Sequence, residues 1–176
     1  MRMSEAKQYK VLVLEDSPED FELLQRRLSK INLKLSVKHV ATKGEYADNL
    51  EKFGPDIIIS DYRLPDFDGI SALAIAKERS PGVPFIMVSG FINDDFASGT
   101  LKAGVTDYIL KDRPERLGAA VERALREAEQ RRLEEEFEKR SRELEEENED
   151  LRERESRVKQ LRHELETLRD ELKRLG

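Results

Sequence analysis

Acidic residues and a lysine stand at the ends of separate apolar runs in the sequence. Glu15 and Asp16 follow the first run, Asp61 follows a later one, and Lys111 follows the last. Carboxylates gathered at one point repel one another, and a few hard oxygen ligands suit Mg²⁺, which keeps waters and shares phosphate oxygens. A lysine adds a positive charge that can reach a phosphoryl oxygen, and Ser89 adds a hydroxyl donor. Because positioning and charge neutralisation are most of what phosphoryl transfer needs, these residues predict phosphoryl chemistry with Asp61 as a carboxylate nucleophile.

The elements that must bring these residues together alternate regularly along the chain. Continuous apolar runs indicate strands buried on both faces, as in a parallel sheet, and they are predicted at residues 10–14, 35–40, 56–60, 85–88 and 106–110. Helices are predicted to begin after Ser17 as a cap, to cover residues 44–53 and 70–78, to follow a loop within residues 89–103, and to resume at Pro114. This order predicts an α/β fold with a five-stranded, doubly wound parallel sheet. Sites in such sheets form at the carboxyl ends of the strands, where the acids, the serine and the lysine stand.

The same residues belong to an ordered set of motifs. Asp61 precedes a Pro-Asp-x-x-Gly loop that ends at Gly69, and Tyr108 stands three residues before Lys111. With the acidic pair and Ser89, this set resembles the receiver domains of bacterial two-component response regulators over roughly residues 8–126. The likeness is specific, because residue types, strand-end positions and order all agree. It implies a flavodoxin-like receiver at the start of the chain.

The resemblance implies a role for each site residue. Asp61 would accept a phosphoryl group from a sensor histidine kinase or a phosphotransfer protein, with Lys111 neutralising charge. Asp16, Asp61 and the backbone carbonyl of Arg63 would hold Mg²⁺. Glu15 would complete this metal site through water or through Lys111. A receiver of this kind promotes its own phosphorylation and turns over no separate substrate, so the resemblance implies that the chain is not an enzyme in the usual sense.

The resemblance also implies a switch. Ser89 would move toward the phosphoryl group and assist its transfer, while Tyr108 would rotate inward. A local change of charge would thereby bias a bistable element.

Two positions depart from the usual pattern or vary within it. Asp112 follows Lys111 where the family usually has a proline that supports a cis peptide bond. A non-proline cis bond costs about 3–4 kcal/mol, so either this bond is cis under strain or the loop differs. Phe91 stands two residues after Ser89, and its bulk would obstruct an attacking water and lengthen the life of the phosphoryl group.

Composition divides the chain of 176 residues into two parts, which we predict to be a receiver over residues 1–126 and a coiled-coil helix over 127–176, continuous with the last receiver helix. The second part consists almost entirely of charged residues, Leu, Gln and Ser. The chain has no cysteine, which excludes thiolate chemistry, and its charges are interleaved rather than grouped in a basic arm. No apolar run approaches the roughly 20 residues of a membrane helix. These features predict a cytoplasmic protein that inserts into no membrane.

Apolar residues of the second part recur with a heptad period, which predicts a coiled coil. The predicted seam residues are Leu144, Asn148, Leu151, Val158, Leu161, Leu165, Leu168, Leu172 and Leu175. From Val158 onward the frame is unambiguous. Before it, one frame places charged residues in the seam. A frame shifted by three residues instead places Asn148 there, which favours two parallel strands, and we prefer this frame. The chain is therefore predicted to form a parallel homodimer.

Three functions compete on these observations. The main one is a phosphorylation-dependent response regulator that transmits its switch through a dimeric coiled coil. The alternative is a phosphate-insensitive coiled-coil scaffold that uses the receiver as a docking module. A phosphatase of the haloacid-dehalogenase type would need a second aspartate two residues after the nucleophile, where Arg63 stands. No helix-turn-helix follows the receiver, so no direct nucleic-acid binding is predicted.

Overall fold

A computed structural model describes residues 7–90 and 102–175, and the side chains of that range up to residue 174. Its elements are β1 (Gln8–Leu14), α1 (Pro18–Leu28), β2 (Lys34–Val40), α2 (Lys43–Lys52), β3 (Ile57–Asp61), α3 (Gly69–Arg79), β4 (Phe85–Ser89), β5 (Asp107–Leu110) and α4 (Arg116–Leu175). Every predicted strand is present, with bounds that differ by at most two residues. Most of the helix predicted within residues 89–103, and Phe91 with it, lies outside the described residues.

Across the described residues, five parallel strands form one sheet in the order β2-β1-β3-β4-β5. The predicted doubly wound parallel sheet is therefore confirmed. The chain leaves β1 toward the β2 edge and returns on the other side of β1 to form β3. In open α/β sheets, the crevice at the carboxyl ends of strands flanking such a reversal is where sites form. Here that point lies between β1 and β3.

The central strands are covered on both faces. Val11 and Val13 of β1 point to one face, and Leu12 and Leu14 point to the other, as the period of two along a strand requires. The first face packs against α1 and the first turns of α4, and the second packs against α2 and α3. All five residues of β3 and all five of β4 are buried. A strand that is buried on both faces needs apolar residues at successive positions, which explains the continuous apolar runs in the sequence. The core on each side of the sheet also holds the strand ends in place.

Side-chain caps start the helices directly after the loops that leave the sheet. Ser17 accepts a hydrogen bond from the third residue of α1 and precedes Pro18, which suits the first turn. Thr42 and Glu45 form a capping box at α2. Asp68 caps α3 through a 2.8 Å bond from a backbone amide. The predicted cap at Ser17 is confirmed, and the caps at α1 and α3 fix the loops that border the candidate site.

The chain divides into two compact units, Met1–Glu129 and Gln130–Gly176, and the 60-residue helix α4 spans both sequence ranges. The predicted long C-terminal helix is confirmed. In the second unit the apolar seam residues from Leu144 to Leu172 are 45–71% exposed. Within the described residues, no helix combines the length and the apolar character needed to cross a membrane.

Candidate functional site

The carboxyl ends of four neighbouring strands present the residues singled out in the sequence. Asp61 is the last residue of β3 and Ser89 the last of β4, while Glu15 and Lys111 directly follow β1 and β5. Backbone hydrogen bonds extend the sheet past the strand ends, from the Glu15 amide to the Val40 carbonyl at 3.1 Å and from the Lys111 amide to the Ser89 carbonyl at 2.8 Å. These bonds fix the backbone from which each functional side chain projects.

Three carboxylates gather at the reversal between β1 and β3. Glu15, Asp16 and Asp61 each offer one oxygen, and these oxygens lie within 4.8 Å of one another. Glu15 is fully buried and Asp61 is 7% exposed, whereas Asp16 faces solvent. All three donors are hard anionic oxygens, and an open side leaves room for the waters that Mg²⁺ retains. The donor set therefore fits a magnesium ion.

The Asp61 carboxylate is oriented by two donors. The Tyr62 amide donates to its Oδ1 at 2.7 Å, and Lys111 Nζ donates to its Oδ2 at 2.9 Å. The loop beyond it folds back closely, because a Cβ at Gly69 would lie 3.0 Å from the Asp61 carbonyl and 3.1 Å from Met87 Cε. Glycine at this position lets α3 begin against the strand end. The Pro-Asp-x-x-Gly motif thus has a packing reason as well as a functional one.

Among the described residues, Lys111 supplies the positive charge of the site. Its ammonium donates to Glu15 Oε2 at 3.1 Å, to Asp61 Oδ2 at 2.9 Å and to Asp20 Oδ2 at 2.5 Å. Burial alone would lower the pKa of Lys111, but the bonds to Asp20, Asp61 and Glu15 hold that pKa above its usual value. The lysine is therefore a fixed positive charge at any physiological pH.

Glu15 is the most deeply buried carboxylate of the cluster. Burial, followed by the nearby charge of Asp61, raises the pKa of Glu15 above its usual value of 4.5, while Lys111 opposes the rise. Its backbone is held by His39, whose Nε2 lies 2.7 Å from the Glu15 carbonyl and whose ring stacks on Phe21 at a centroid distance of 3.9 Å. Among the described residues, the carboxylates of Glu15, Asp16 and Asp61 gather beside the Lys111 ammonium, and their excess of negative charge favours a divalent cation.

The other predicted residues lie at the same edge or near it. Ser89 is 4% exposed at the end of β4. Tyr108 is half-buried in β5 and packs against the cluster beneath α2 and α3. Arg63 lies two residues beyond β3 in an isolated antiparallel bridge with Asp68. Metal binding by the Arg63 carbonyl stays a prediction, and so do the switch roles of Ser89 and Tyr108.

The loop after β5 settles the alternative left open at Asp112. Across residues 7–90 and 102–175 every peptide bond is trans, so the Lys111–Asp112 bond is trans and the loop differs from the usual pattern. The Lys111 amide remains bonded to the sheet, and the Arg113 amide bonds the Leu110 carbonyl at 2.9 Å. The lysine thus reaches the acids without the proline.

Sequence reasoning missed Asp20. In the sequence it reads as an acid in the first turn of a helix, a common position for a carboxylate because of the helix dipole. In the structure it forms the shortest of the three bonds to Lys111, across 91 residues of sequence. Its spacing of four residues from Asp16 is the sole sequence signal, and that spacing is not specific.

A family model described as the response regulator receiver domain matches residues 11–122. The chain belongs to this family. Its members are receivers that act in signalling, and the resemblance seen in the sequence is confirmed.

Two named proteins illustrate how much of the sequence is shared with relatives. Regulatory protein LuxO of Vibrio cholerae is 28% identical over 117 residues, which are 66% of this chain and 25% of that protein. A protein-glutamate methylesterase/protein-glutamine glutaminase of Saccharophagus degradans is 35% identical over 107 residues, 59% of this chain and 29% of that protein. The chain thus covers about a quarter of the length of these relatives.

A solved structure supports the fold. The crystal structure of the signal receiver domain of a LuxO repressor protein from Vibrio parahaemolyticus aligns with a TM-score of 0.66 at 24% identity. The alignment covers 72% of this chain and 97% of that domain. The likeness establishes the receiver fold for the first unit. The acidic cluster of this receiver is consistent with phosphorylation-dependent signalling.

Proposed function

We propose that this receiver accepts a phosphoryl group on Asp61 from a sensor histidine kinase or a phosphotransfer protein. The observation that carries the proposal is the Asp61 carboxylate held 2.9 Å from the Lys111 ammonium, with the Glu15 and Asp16 oxygens within 4.8 Å. One oxygen of the Asp61 carboxylate forms a bond to phosphorus, the bond from phosphorus to the donor nitrogen breaks, and the imidazole keeps the electron pair. Lys111 keeps its proton and neutralises charge on the transferred group.

The acids of the site also define its cofactor. Asp16 and Asp61, with Glu15 beside them and the Arg63 carbonyl as a further oxygen, are proposed to hold Mg²⁺. When bound, the ion would neutralise charge on the phosphoryl oxygens. Ser89 is proposed to donate its hydroxyl to the phosphoryl group, and Tyr108 is proposed to follow by turning inward.

Intact mass measurement tests the acceptor. The chain is incubated with Mg²⁺ and acetyl phosphate, and we expect one added phosphoryl group in the wild type and none in Asp61→Asn. Asp66→Asn is a matched control, because it removes an exposed carboxylate from the same loop. An adduct that persists in Asp61→Asn, or no adduct with a folded wild type and several donors, would contradict the proposal and favour a phosphate-insensitive docking module.

We further propose that the receiver, residues 1–126, signals through a coiled coil formed by residues 127–176 of two copies. Support comes from the seam from Leu144 to Leu172, whose apolar residues are 45–71% exposed on a single helix. Long helices of this composition gain most of their stability from packing against a partner. Asn148 at a seam position favours the pairing of two parallel helices.

Sedimentation of the full chain tests this pairing. Leu165→Lys places a charge in the seam and is expected to shift the chain toward monomer. Thr167→Lys adds the same charge on an exposed position of the same turn outside the seam and is expected to leave the dimer intact. Equal sedimentation of the two variants would contradict the predicted seam.

The direction of pairing has its own test. The chain has no cysteine, so a single Leu161→Cys variant carries one thiol per copy. Parallel helices bring the two thiols together, and mild oxidation is expected to give a covalent dimer. A dimer by sedimentation that resists this cross-link would indicate antiparallel pairing.

A further inference from the structure

Three carboxylates share the ammonium of Lys111, and one of them does not come from a strand end. Glu15 and Asp61 come from the ends of β1 and β3, whereas Asp20 comes from the first turn of α1. Its 2.5 Å contact is shorter than the 2.9 Å contact with Asp61 and the 3.1 Å contact with Glu15. An ammonium has three N–H donors, so these three carboxylates engage all of them.

Asp20 is placed for this contact by the start of its helix. Its amide donates to the Ser17 hydroxyl at 3.2 Å, which fixes it as the third residue of α1. Side chains of a helix point back toward its N-terminus, which here faces the strand ends. The Asp20 side chain is 36% exposed, more than the 10% of Asp61 or the 0% of Glu15. The lysine is therefore drawn toward the outer edge of the site.

An incoming phosphoryl group needs the same ammonium. It arrives with a charge of about −1.5 to −2 and with strong acceptor oxygens. Asp20 competes with it for an N–H of Lys111 and repels it. We propose that Asp20 is a positioning residue that holds the Lys111 ammonium away from the incoming phosphoryl group and thereby slows phosphorylation of Asp61. The inference rests on the proposed function of the site.

Phosphorylation of Asp61 and hydrolysis of its phosphoryl group should respond differently to the charge of Asp20. In the forward step an Asp61 oxygen bonds to phosphorus, the bond between phosphorus and the donor oxygen breaks, and acetate leaves with the electron pair. In hydrolysis a water oxygen bonds to phosphorus, the phosphorus bond to Asp61 breaks, the carboxylate keeps the electron pair, and the water protons pass to phosphate and solvent. The phosphoryl charge is already in the site before hydrolysis. Asp20 therefore affects hydrolysis less than phosphorylation.

The experiment compares phosphorylation and hydrolysis rates of the full chain with acetyl phosphate, at a Mg²⁺ concentration that saturates each variant. Asp20→Asn is expected to be phosphorylated about tenfold faster, a modest gain because solvent screens a partly exposed charge. Its hydrolysis rate is expected to change less than about threefold. Glu19→Gln is the matched control, because it removes an exposed charge from the same helix turn. The Glu19 carboxylate accepts a hydrogen bond from the Ser17 hydroxyl at 3.1 Å rather than from Lys111. Asp20→Glu keeps the charge and is expected to return the rate toward that of the wild type.

Each outcome bears on Asp20 separately from Asp61. A faster Asp20→Asn, with Glu19→Gln and Asp20→Glu near the wild type, supports the inference. Equal acceleration in Glu19→Gln would show a general effect of charge. A phosphorylation rate of Asp20→Asn at or below that of the wild type would show that Asp20 prepares the lysine for the reaction. Either result overturns the inference. A wild type that forms no adduct instead refutes the proposed function itself. Thermal melts of each variant confirm that the folded chain is being compared.

Discussion

Replacing Lys111 by methionine removes the ammonium shared by three carboxylates while keeping most of the length of the side chain. Glu15 is fully buried and the Asp61 side chain is 10% exposed, so neither can regain full hydration. Removing one partner of a buried ion pair costs about 3–5 kcal/mol. Because the Lys111 side chain is 25% exposed, we expect a value near the lower end of that range. The predicted loss in free energy of unfolding is about 3 kcal/mol at pH 8 without divalent cations.

The pH dependence of stability distinguishes a loss caused by unbalanced charge from a loss caused by poorer packing. Lys111 lowers the pKa of Glu15 against the rise caused by burial. Without the lysine, the folded-state pKa of Glu15 rises further, so the folded state binds more protons and stability increases as the pH falls. The deficit of Lys111→Met should therefore be smaller at pH 5 than at pH 8. Mg²⁺ held as proposed would bind only the folded state, and it should stabilise the variant more than the wild type.

Urea unfolding of the full chain, monitored by a signal from the first unit, measures these differences. Lys38→Met is the matched control, because it removes an exposed lysine from β2 and should cost less than about 1 kcal/mol. A Lys111→Met deficit that equals the control refutes the shared-cation argument. A larger deficit that changes with neither pH nor Mg²⁺ would attribute the loss to packing.

Two further predictions follow from groups whose pKa is shifted. Burial and the charge of Asp61 raise the pKa of Glu15 above 4.5, so its stabilising contribution is present below that value and is lost as the pH rises through the folded-state pKa. Glu15→Gln should thus be more stable than the wild type at pH 7 in metal-free buffer when measured by urea unfolding, and a less stable variant would contradict the repulsion. The amide of Ser71 lowers the pKa of Asp68, so the cap stabilises above the usual pKa of the carboxyl group and loses its effect as the pH falls through the folded-state pKa. Asp68→Ala should cost about 1 kcal/mol at pH 7 by thermal or urea unfolding, and a cost that persists in strong acid would exclude the carboxylate as its cause.

Much of the candidate site could be predicted from the order of residues along the chain. Apolar runs without polar alternation indicate strands buried on both faces, and parallel strands place their carboxyl ends at one edge of the sheet. Any polar residue directly after such a run must therefore lie at that edge. This reasoning places Glu15, Asp61, Ser89 and Lys111 together without knowledge of any distance, and the structure does so.

The pairing of the C-terminal helix stays a prediction. A heptad period marks one face of α4, and the described seam residues from Leu144 to Leu172 lie exposed on it. Which residues face each other before Val158 depends on contacts with a second helix. A sequence with two compatible frames therefore leaves the register open.

By itself, the sequence determined the fold and the residue types at the site, because both follow from local periodicity and from the order of the strands. Only the tertiary structure decided how the charges are shared. Asp20 meets Lys111 across 91 residues of sequence, and this contact depends on how α1 starts at Ser17 and packs beside β1. The trans bond between Lys111 and Asp112 was likewise set by the fold. Side-chain directions and loop geometry depend on packing between distant segments, which residue types along a chain do not specify.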